Sequence, residues 1–203
     1  MDTGSGGSGR VPARLWILPF KQLNRWEAEF VERRAALSPA RPPAALTRIS
    51  ALAHGGRLWF VIAALMAARP GNTRRAAGDG VLAILLASSS AQALSHVVAR
   101  PRPSAGHLPA HQALAHRPKT ASFPSSHSAV AVAFTTAAAR RSPATGLVLA
   151  PLACTIAYAR IRTRAHWPTD VLAGVALGAI VGELVHRHAH RLTTSRENGE
   201  PAS

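Results

Sequence analysis

The sequence predicts an all-helical bundle embedded in a membrane, with about five membrane-spanning segments after an N-terminal amphipathic helix. Of the 203 residues, 47% are apolar, and alanine predominates among them. This composition is typical of many closely packed helices in one domain. The apolar residues are gathered into five segments, and the arginines fall at the ends of these segments rather than along one face.

The five candidate spans differ in how well they fit a bilayer. The first approaches the roughly 20 residues that a bilayer requires only if it includes residues before Leu58. The second is rich in serine, so much of it must face neighbouring helices. In the last, Gly174, Gly178 and Gly182 recur every four residues, which permits close helix contact. The spans cover residues 49–68, 81–99, 127–139, 144–158 and 170–185.

The ends of the chain differ in composition from this membrane domain, which we place at 49–185. Residues 1–13 begin with a glycine- and serine-rich stretch and are expected to be disordered. The polar, basic tail at 186–203 is expected to be disordered as well. Between them, residues 14–43 contain the amphipathic segment.

One face of this amphipathic segment can carry Phe20, Trp26 and Phe30, while Glu27 and Glu29 point elsewhere. Such a helix is suited to lie in the membrane interface. The alternative is that it packs on the protein's own helices.

The net charge of +15 first suggests a nucleic-acid partner. However, the chain has one tyrosine and five phenylalanines for base stacking, and its arginines are not arranged along one face. We therefore expect no nucleic-acid binding and predict membrane lipids as the partners of the basic residues. The sequence does not indicate an oligomeric state.

Two polar residues follow the fourth apolar segment at a spacing that suits catalysis. His166 and Asp170 are four residues apart, so in a helix the carboxylate lies one turn from the imidazole and can hold one ring nitrogen. The other nitrogen is then free to attack. Arg160 precedes them by six residues, and a guanidinium is well shaped for forked contact with phosphate oxygens.

Two further polar segments adjoin apolar ones. Ser125, Ser126 and His127 precede a run of small residues, and the start of a helix attracts anions. Arg100 and Arg102 follow the second apolar segment. A histidine at a helix start is usually a capping or solvated residue, and each segment alone is ordinary. Three of them in this order indicate a phosphate site.

In these motifs the sequence resembles the type 2 phosphatidic acid phosphatase family, which includes bacterial acid phosphatases and vanadium haloperoxidases. The family signature is Lys-x6-Arg-Pro, then Pro-Ser-Gly-His, then Ser-Arg-x5-His-x3-Asp. The resemblance spans roughly residues 57–185. The matching positions are Arg102, Pro103, Pro124, Ser125, His127, Arg160, His166 and Asp170.

The resemblance implies a metal-independent phosphatase without a cofactor, acting on a lipid phosphate or diphosphate. Polyprenyl phosphates and diphosphates, phosphatidic acid and phosphatidylglycerol phosphate all fit. In this scheme His166 attacks phosphorus, Asp170 orients its ring, and His127 protonates the leaving oxygen and later activates water. The groups that bind phosphate are Arg102, Arg160, Ser125 and Ser126.

Three positions depart from the family pattern. Ser95 stands where the family has Lys, Ser126 replaces the Gly, and Ala159 replaces the Ser. Losing the Lys removes one cation, which His96, Lys119 or Arg100 could replace. The departure also allows an alternative, a catalytically weakened lipid-phosphate binder or transport partner. The missing Lys and the membrane spans argue against a vanadate-dependent peroxidase.

The distribution of charge also bears on metal binding and on orientation. His107, His111 and His116 have no carboxylate or cysteine beside them, so we predict no metal site there. The arginines on the side opposite the motifs favour the cytoplasm by the positive-inside rule. We therefore predict a multi-pass protein of the cell membrane whose site faces the extracytoplasmic side.

Overall fold

The computed structural model describes residues 18–37, 48–49, 52–53, 56–103 and 121–197. Within these ranges the regular elements are all helices, which confirms the predicted class for this part of the chain. Residues 1–13, the loop histidines His107, His111 and His116, and Lys119 lie outside the described ranges. The helices are α1 (Leu18–Leu37), α2 (Arg57–Ala67), α3 (Asn72–Val97), α4 (Ser126–Arg141), α5 (Pro143–Arg162) and α6 (Pro168–Glu197).

Three of these helices are long and apolar enough to cross a membrane, namely α3, α5 and the Pro168–Arg191 part of α6. Each exposes large apolar side chains, such as Leu85, Leu147 and Ile180, as a lipid-facing helix does. Helix α2 has 11 residues and α4 has 16, which is short of the roughly 20 that a bilayer requires. The described helices therefore support three of the five predicted spans.

Helix α4 lies at the centre of the bundle, where it packs against α3, α5 and α6. Its alanines Ala129 and Ala133 are fully buried. A Cβ atom added at Gly178 of α6 would lie 2.4 Å from the carbonyl oxygen of Ala129. Gly174 and Gly182 face the α4 backbone in the same way, which confirms that the glycine repeat permits close helix contact.

An aromatic pair fills the other side of the core. Trp59 of α2 and Phe134 of α4 are buried, and their ring centroids are 5.2 Å apart. Helix α3 approaches this pair at Gly80, where a Cβ atom would lie 2.5 Å from the Phe134 ring. The small residues of α3 thus make room for large rings of its neighbour.

The two ends of the bundle differ in the segments that connect the helices there. At one end, Ser142 accepts a hydrogen bond from the backbone of Thr145, and Pro143 occupies the first turn of α5, so the connection from α4 is tight. At the other end lie the C-termini of α3 and α5 and the N-termini of α4 and α6, which carry the three motifs. Helix α6 continues past Val185 to Glu197, so the tail predicted to be disordered from 186 is helical over most of its length.

Helix α1 contains the amphipathic segment and contacts the rest of the protein through Glu27. Glu27, which we predicted to lie away from the apolar face, is fully buried, whereas Trp26 on that face is 62% exposed. Phe30 is exposed too and stacks on Trp26 with ring centroids 5.9 Å apart. The helix therefore packs on the protein through a polar face, because Arg100 and Thr169 offer Glu27 partners there. The interfacial location of its aromatic face stays a prediction.

Candidate active site

The three motif segments meet at one end of the bundle through backbone hydrogen bonds. The N–H of Ser122 donates to the carbonyl oxygen of Arg100 at 2.8 Å, which joins the first segment to the second. The N–H of Ser125 donates to the carbonyl oxygen of Asp170 at 2.9 Å, which joins the second to the third. The backbone thus fixes the relative positions of the motifs.

His166 lies in the turn between α5 and α6 and is 5% exposed. Its Nδ1 donates to the carbonyl oxygen of Ser122 at 2.7 Å, which leaves Nε2 as the nitrogen with a lone pair. Burial, together with the charges of Arg102 and Arg160, lowers the pKa of His166 to about 3 against the opposing effect of the hydrogen bond to the Ser122 carbonyl. The ring is therefore neutral at pH 7.

Arg102 is the cation next to this nitrogen, with Nη1 3.3 Å from Nε2 of His166. Nη1 also donates to the carbonyl oxygen of Ala165 at 2.7 Å, and Nη2 donates to that of Ala121 at 3.1 Å. The guanidinium is thereby held between two loops, with Nη1 donating to the Nε2 lone pair of His166. An anion that binds Arg102 would lie close to Nε2.

Arg160 lies in the last turn of α5 and is 3% exposed. Its carbonyl oxygen accepts hydrogen bonds from the N–H groups of Ala165 and His166 at 3.1 and 3.2 Å. This turn folds back on α5 and brings the imidazole near the guanidinium, whose charge contributes to the lowered pKa of His166. Two predicted phosphate-binding arginines therefore lie around the histidine.

Asp170 is fully buried, but its contact with His166 differs from the predicted one. Its Oδ2 lies 3.9 Å from Nδ1 of His166, which is beyond hydrogen-bond distance, because the Ser122 carbonyl occupies that position. Oδ2 instead accepts from the N–H of Trp167 at 2.9 Å, and Oδ1 accepts from Nη1 of Arg100 at 2.6 Å. The carboxylate thus caps the start of α6 and places its charge near the imidazole without holding it directly.

The start of α4 carries the remaining predicted residues. The hydroxyl of Ser125 is 2.9 Å from that of Ser128, and it accepts from the Ser128 N–H at 3.5 Å. Its side chain therefore caps α4, whereas the sequence suggests a phosphate contact. Ser126 and His127, in the first turn of this helix, are half-buried. The helix start and its N–H groups adjoin the third motif through the Ser125 backbone.

Ser95, which stands where the resemblance expects a Lys, makes a local contact. Its hydroxyl donates to the carbonyl oxygen of Gln92 at 2.7 Å. Arg100 does not replace the missing cation beside His166, because its guanidinium points to Asp170 and Glu27. The second motif arginine, Arg102, is the one beside the imidazole.

The sequence did not indicate the buried hydrogen-bond network that joins Asp170 to α1 through Arg100. Arg100 is 2% exposed and donates to Asn24 and Glu27 of α1 and to Thr169 and Asp170 of α6. Its guanidinium carbon also lies 5.4 Å from the centre of the Trp167 ring. In the sequence Glu27 is one of several charged residues in a polar helix, and no spacing connects it to residues more than a hundred positions away.

A small, partly open pocket lies beside His166. One wall comes from α1 and the other from the turn between α5 and α6. The imidazole of His166 thus borders a small opening between α1 and this turn. It is lined by Ala28, Val31, Glu32, Pro103, Ile161, Arg164, His166 and Trp167.

Known proteins are similar to this chain in sequence and in fold. Residues 77–193 match the PAP2 superfamily. Two strains of Mycobacterium tuberculosis (CDC 1551 / Oshkosh and ATCC 25618 / H37Rv) carry a decaprenylphosphoryl-5-phosphoribose phosphatase that is 36% identical over 153 residues, covering 70% of this chain and 80% of the relative. The names of these relatives describe a phosphatase.

Two solved structures are also similar. Aquifex aeolicus LpxE has 25% identity and a TM-score of 0.61, and the match covers 77% of this chain and 93% of that one. A transmembrane PAP2 type phosphatidylglycerolphosphate phosphatase from Bacillus subtilis shares the fold, with 20% identity, a TM-score of 0.63, and coverage of 84% and 88%. The residues that match the family model include the His166 site and most of the bundle. The chain therefore belongs to the PAP2 superfamily.

Proposed function

We propose that the chain is a metal-independent membrane phosphatase that hydrolyses a lipid phosphate or diphosphate through a phosphohistidine at His166. The observation that carries the proposal is the state of this imidazole. Its Nδ1 donates to the Ser122 carbonyl oxygen and its Nε2 lies 3.3 Å from Arg102. A neutral nitrogen with a lone pair beside a phosphate-binding cation is what attack on phosphorus requires.

In the first step, the lone pair of Nε2 attacks phosphorus and forms a P–N bond while the P–O bond to the lipid breaks. The leaving oxygen takes a proton from His127. Arg102 and Arg160 stabilise the negative charge on the equatorial oxygens, together with N–H groups at the start of α4 near Ser126. The positive charge that the transition state needs is thus supplied by guanidinium groups.

In the second step, water attacks the phosphohistidine and gives its proton to His127. The P–N bond breaks, inorganic phosphate leaves, and His166 returns to its neutral form. Asp170 places a negative charge 3.9 Å from Nδ1, which stabilises the positive charge that the ring carries in the intermediate. The low pKa of His166 keeps the nucleophile neutral, and the scheme requires a protonated His127 at the same pH.

The relatives support a choice of substrates to test first. The Mycobacterium tuberculosis proteins are named for a decaprenylphosphoryl-5-phosphoribose substrate, and the Bacillus subtilis protein for phosphatidylglycerolphosphate. Polyprenyl phosphates and diphosphates, phosphatidylglycerol phosphate and phosphatidic acid therefore form the panel. The groups around His166 contact the phosphate and do not select the lipid.

We place the protein in the cell membrane with five spans, α1 in the interface and the site on the extracytoplasmic side. The exposed pair Trp26 and Phe30 on α1 supports an interfacial helix. The positive-inside rule supports the orientation, because the end opposite the site carries arginines from three helices and from the turn between α2 and α3. These are Arg69, Arg74, Arg75, Arg140, Arg141, Arg187 and Arg191.

The alternative function is a family member that binds lipid phosphates without turnover. Ser95 supports it, because this residue stands where the family has a Lys. The structure favours catalysis, because Arg102 and Arg160 remain beside a neutral His166. The test is phosphate release from the lipid panel in detergent with a chelator present, for the wild type and for His166→Ala. We expect chelator-resistant release that is lost in the variant. Binding of the lipids by folded wild-type protein without any release would support the alternative.

A further inference from the structure

Arg100 connects α1 to the start of α6 and is buried between them. On the α1 side, Nε and Nη2 donate to Oδ1 of Asn24 at 2.9 and 2.6 Å, and Nη2 donates to Oε2 of Glu27. On the α6 side, Nη1 donates to Thr169 and Asp170, each at 2.6 Å. Each nitrogen of the guanidinium is therefore bonded, and its planar geometry fixes the two helices relative to each other.

Glu27 binds the same helix start directly. Its Oε1 accepts from the N–H of Thr169 at 2.7 Å, and its Oε2 accepts from the Thr169 hydroxyl at 3.0 Å. The side chain is fully excluded from solvent. A buried carboxylate is costly unless it is paired and hydrogen-bonded, and here both of its oxygens are used. Helix α1 thus contacts the start of α6 through the charged side chain of Glu27 and not through apolar side chains.

The same turn of α6 carries the proposed catalytic carboxylate. Asp170 follows Thr169 and receives Arg100 on Oδ1 and the Trp167 N–H on Oδ2. His166 immediately precedes Trp167, so the position of its ring depends on how this turn is held. A shift of α1 would also move Ala28 and Val31, which line the pocket beside His166.

We propose that Glu27 is a positioning residue of this phosphatase, which acts through Arg100 and Thr169 to fix Asp170 and His166 for attack on phosphorus. The inference rests on the proposed function, since it takes His166 as the nucleophile. Helix α1 then completes the active site from behind, although Glu27 itself does not contact the substrate.

The experiment compares Glu27→Gln with Glu29→Gln in full-length protein purified in detergent. Glu29 lies on the exposed side of the same helix, where it pairs with Arg33 at 3.5 Å, so it controls for the loss of a carboxylate from α1. Phosphate release is measured per folded protein, with the lipid phosphate that the wild type cleaves fastest. We expect Glu27→Gln to lower kcat by roughly 10- to 100-fold with KM changed less than about threefold, because displaced catalytic groups slow the chemical step. Glu29→Gln should match the wild type.

Asn24→Ala is the milder variant if Glu27→Gln fails to fold, because it removes an acceptor of Arg100 without changing a buried charge. It should lower kcat by about threefold to tenfold in the same assay. The double variant Glu27→Gln/Arg100→Gln should lose less kcat than the product of the single losses, because both residues act on one turn.

The outcomes separate this inference from the proposed function. Wild-type kcat in folded Glu27→Gln or Asn24→Ala would overturn the positioning role, as would a loss confined to KM. Full chelator-resistant turnover by His166→Ala would instead overturn the phosphohistidine proposal, whatever the Glu27 variant does. A fall in kcat for Glu27→Gln together with an inactive His166→Ala supports both.

Discussion

The two ends of the bundle use the same kind of ion pair, but the pairs differ in how far they are exposed to solvent. At the end that carries His166, the Arg100–Asp170 pair is 2.6 Å long and both side chains are 0% exposed. At the opposite end, Arg141 and Asp79 join α4 to α3 at 2.7 Å with 12% of each side chain exposed. Arg140 and Glu183 join α4 to α6 at 2.7 Å, with 56% and 24% exposed.

The distances are nearly equal, so burial distinguishes the two ends. An exposed ion pair is screened by water and contributes little to stability. A buried pair has a large desolvation cost, and removal of one partner leaves an uncompensated charge. The charges at the site end therefore form one connected group beside His166, whereas those at the opposite end form separate links between helices. Four predictions test this difference.

The largest effect is expected for Arg100→Gln, because it leaves the buried carboxylates of Glu27 and Asp170 without the cation that lies between them. We expect the free energy of unfolding to fall by about 3–5 kcal/mol, measured by chemical denaturation in detergent micelles. The double variant Glu27→Gln/Arg100→Gln should recover part of this loss, because it buries one charge fewer. Wild-type stability of Arg100→Gln would contradict the buried network.

The next effect is a dependence of stability on pH that arises from His166. Its pKa in the folded protein is about 3 and its ordinary value is 6.5, so between these values the unfolded state binds a proton that the folded state does not. The free energy of unfolding therefore falls as pH decreases from 6.5 toward 3, by about 1.4 kcal/mol per pH unit, with no further loss below 3. Unfolding curves at pH 4.5 to 7.5 measure this slope. His166→Gln should reduce it, and an unchanged slope would show that other groups cause it.

A smaller effect is expected at the opposite end for Asp79→Asn, which leaves Arg141 with a neutral partner. Because the pair is partly open to solvent, we expect a loss of about 1–2 kcal/mol. Phosphate release per folded protein should stay at the wild-type rate, since the pair does not contact the site. A loss of turnover comparable to that expected for Glu27→Gln would remove the distinction between the two ends.

The smallest effect is expected for Glu183→Gln. Glu183 accepts hydrogen bonds from Arg140 and Arg187 at 2.7 Å, but both arginines are more than half exposed. Solvent screening should make the change too small to measure in either thermal unfolding or phosphate release. A clear drop in the unfolding temperature would contradict this prediction, because it would mean that solvent screens the Glu183 ion pairs less than the exposure of their side chains indicates.

Much of the fold follows from local sequence patterns. The glycine repeat at Gly174, Gly178 and Gly182 predicts a close helix contact, and these glycines do face the backbone of α4. Gly56 has a φ of 75° at the start of α2, a conformation that glycine adopts without steric cost. The spans are less predictable, because α2 and α4 are shorter than a bilayer requires. A short apolar helix at the centre of a bundle has the same composition as part of a membrane span.

The sequence predicts which side chains of the site lie close together, because motif spacing determines it. It does not predict the hydrogen bonds that backbone groups make in the site. The sequence indicates that Arg102, Arg160, His166 and Asp170 belong together, and the structure brings them to one end of the bundle. It does not indicate that the Ser122 carbonyl, rather than Asp170, accepts the His166 proton. A carbonyl group is present in every residue, so residue type gives no sign of its role.

The sequence by itself determined the helical class, the apolar segments and the motif residues, because these depend on residue type and on spacing within one helix or turn. Only the tertiary structure decided which side of α1 packs on the protein, and that Arg100 binds Asp170 whereas Arg102 lies beside His166. Glu27 is buried because Arg100 and Thr169, distant in sequence, meet it across a helix interface. A buried charge is tolerated only where such partners converge, and that convergence is a property of the packed helices.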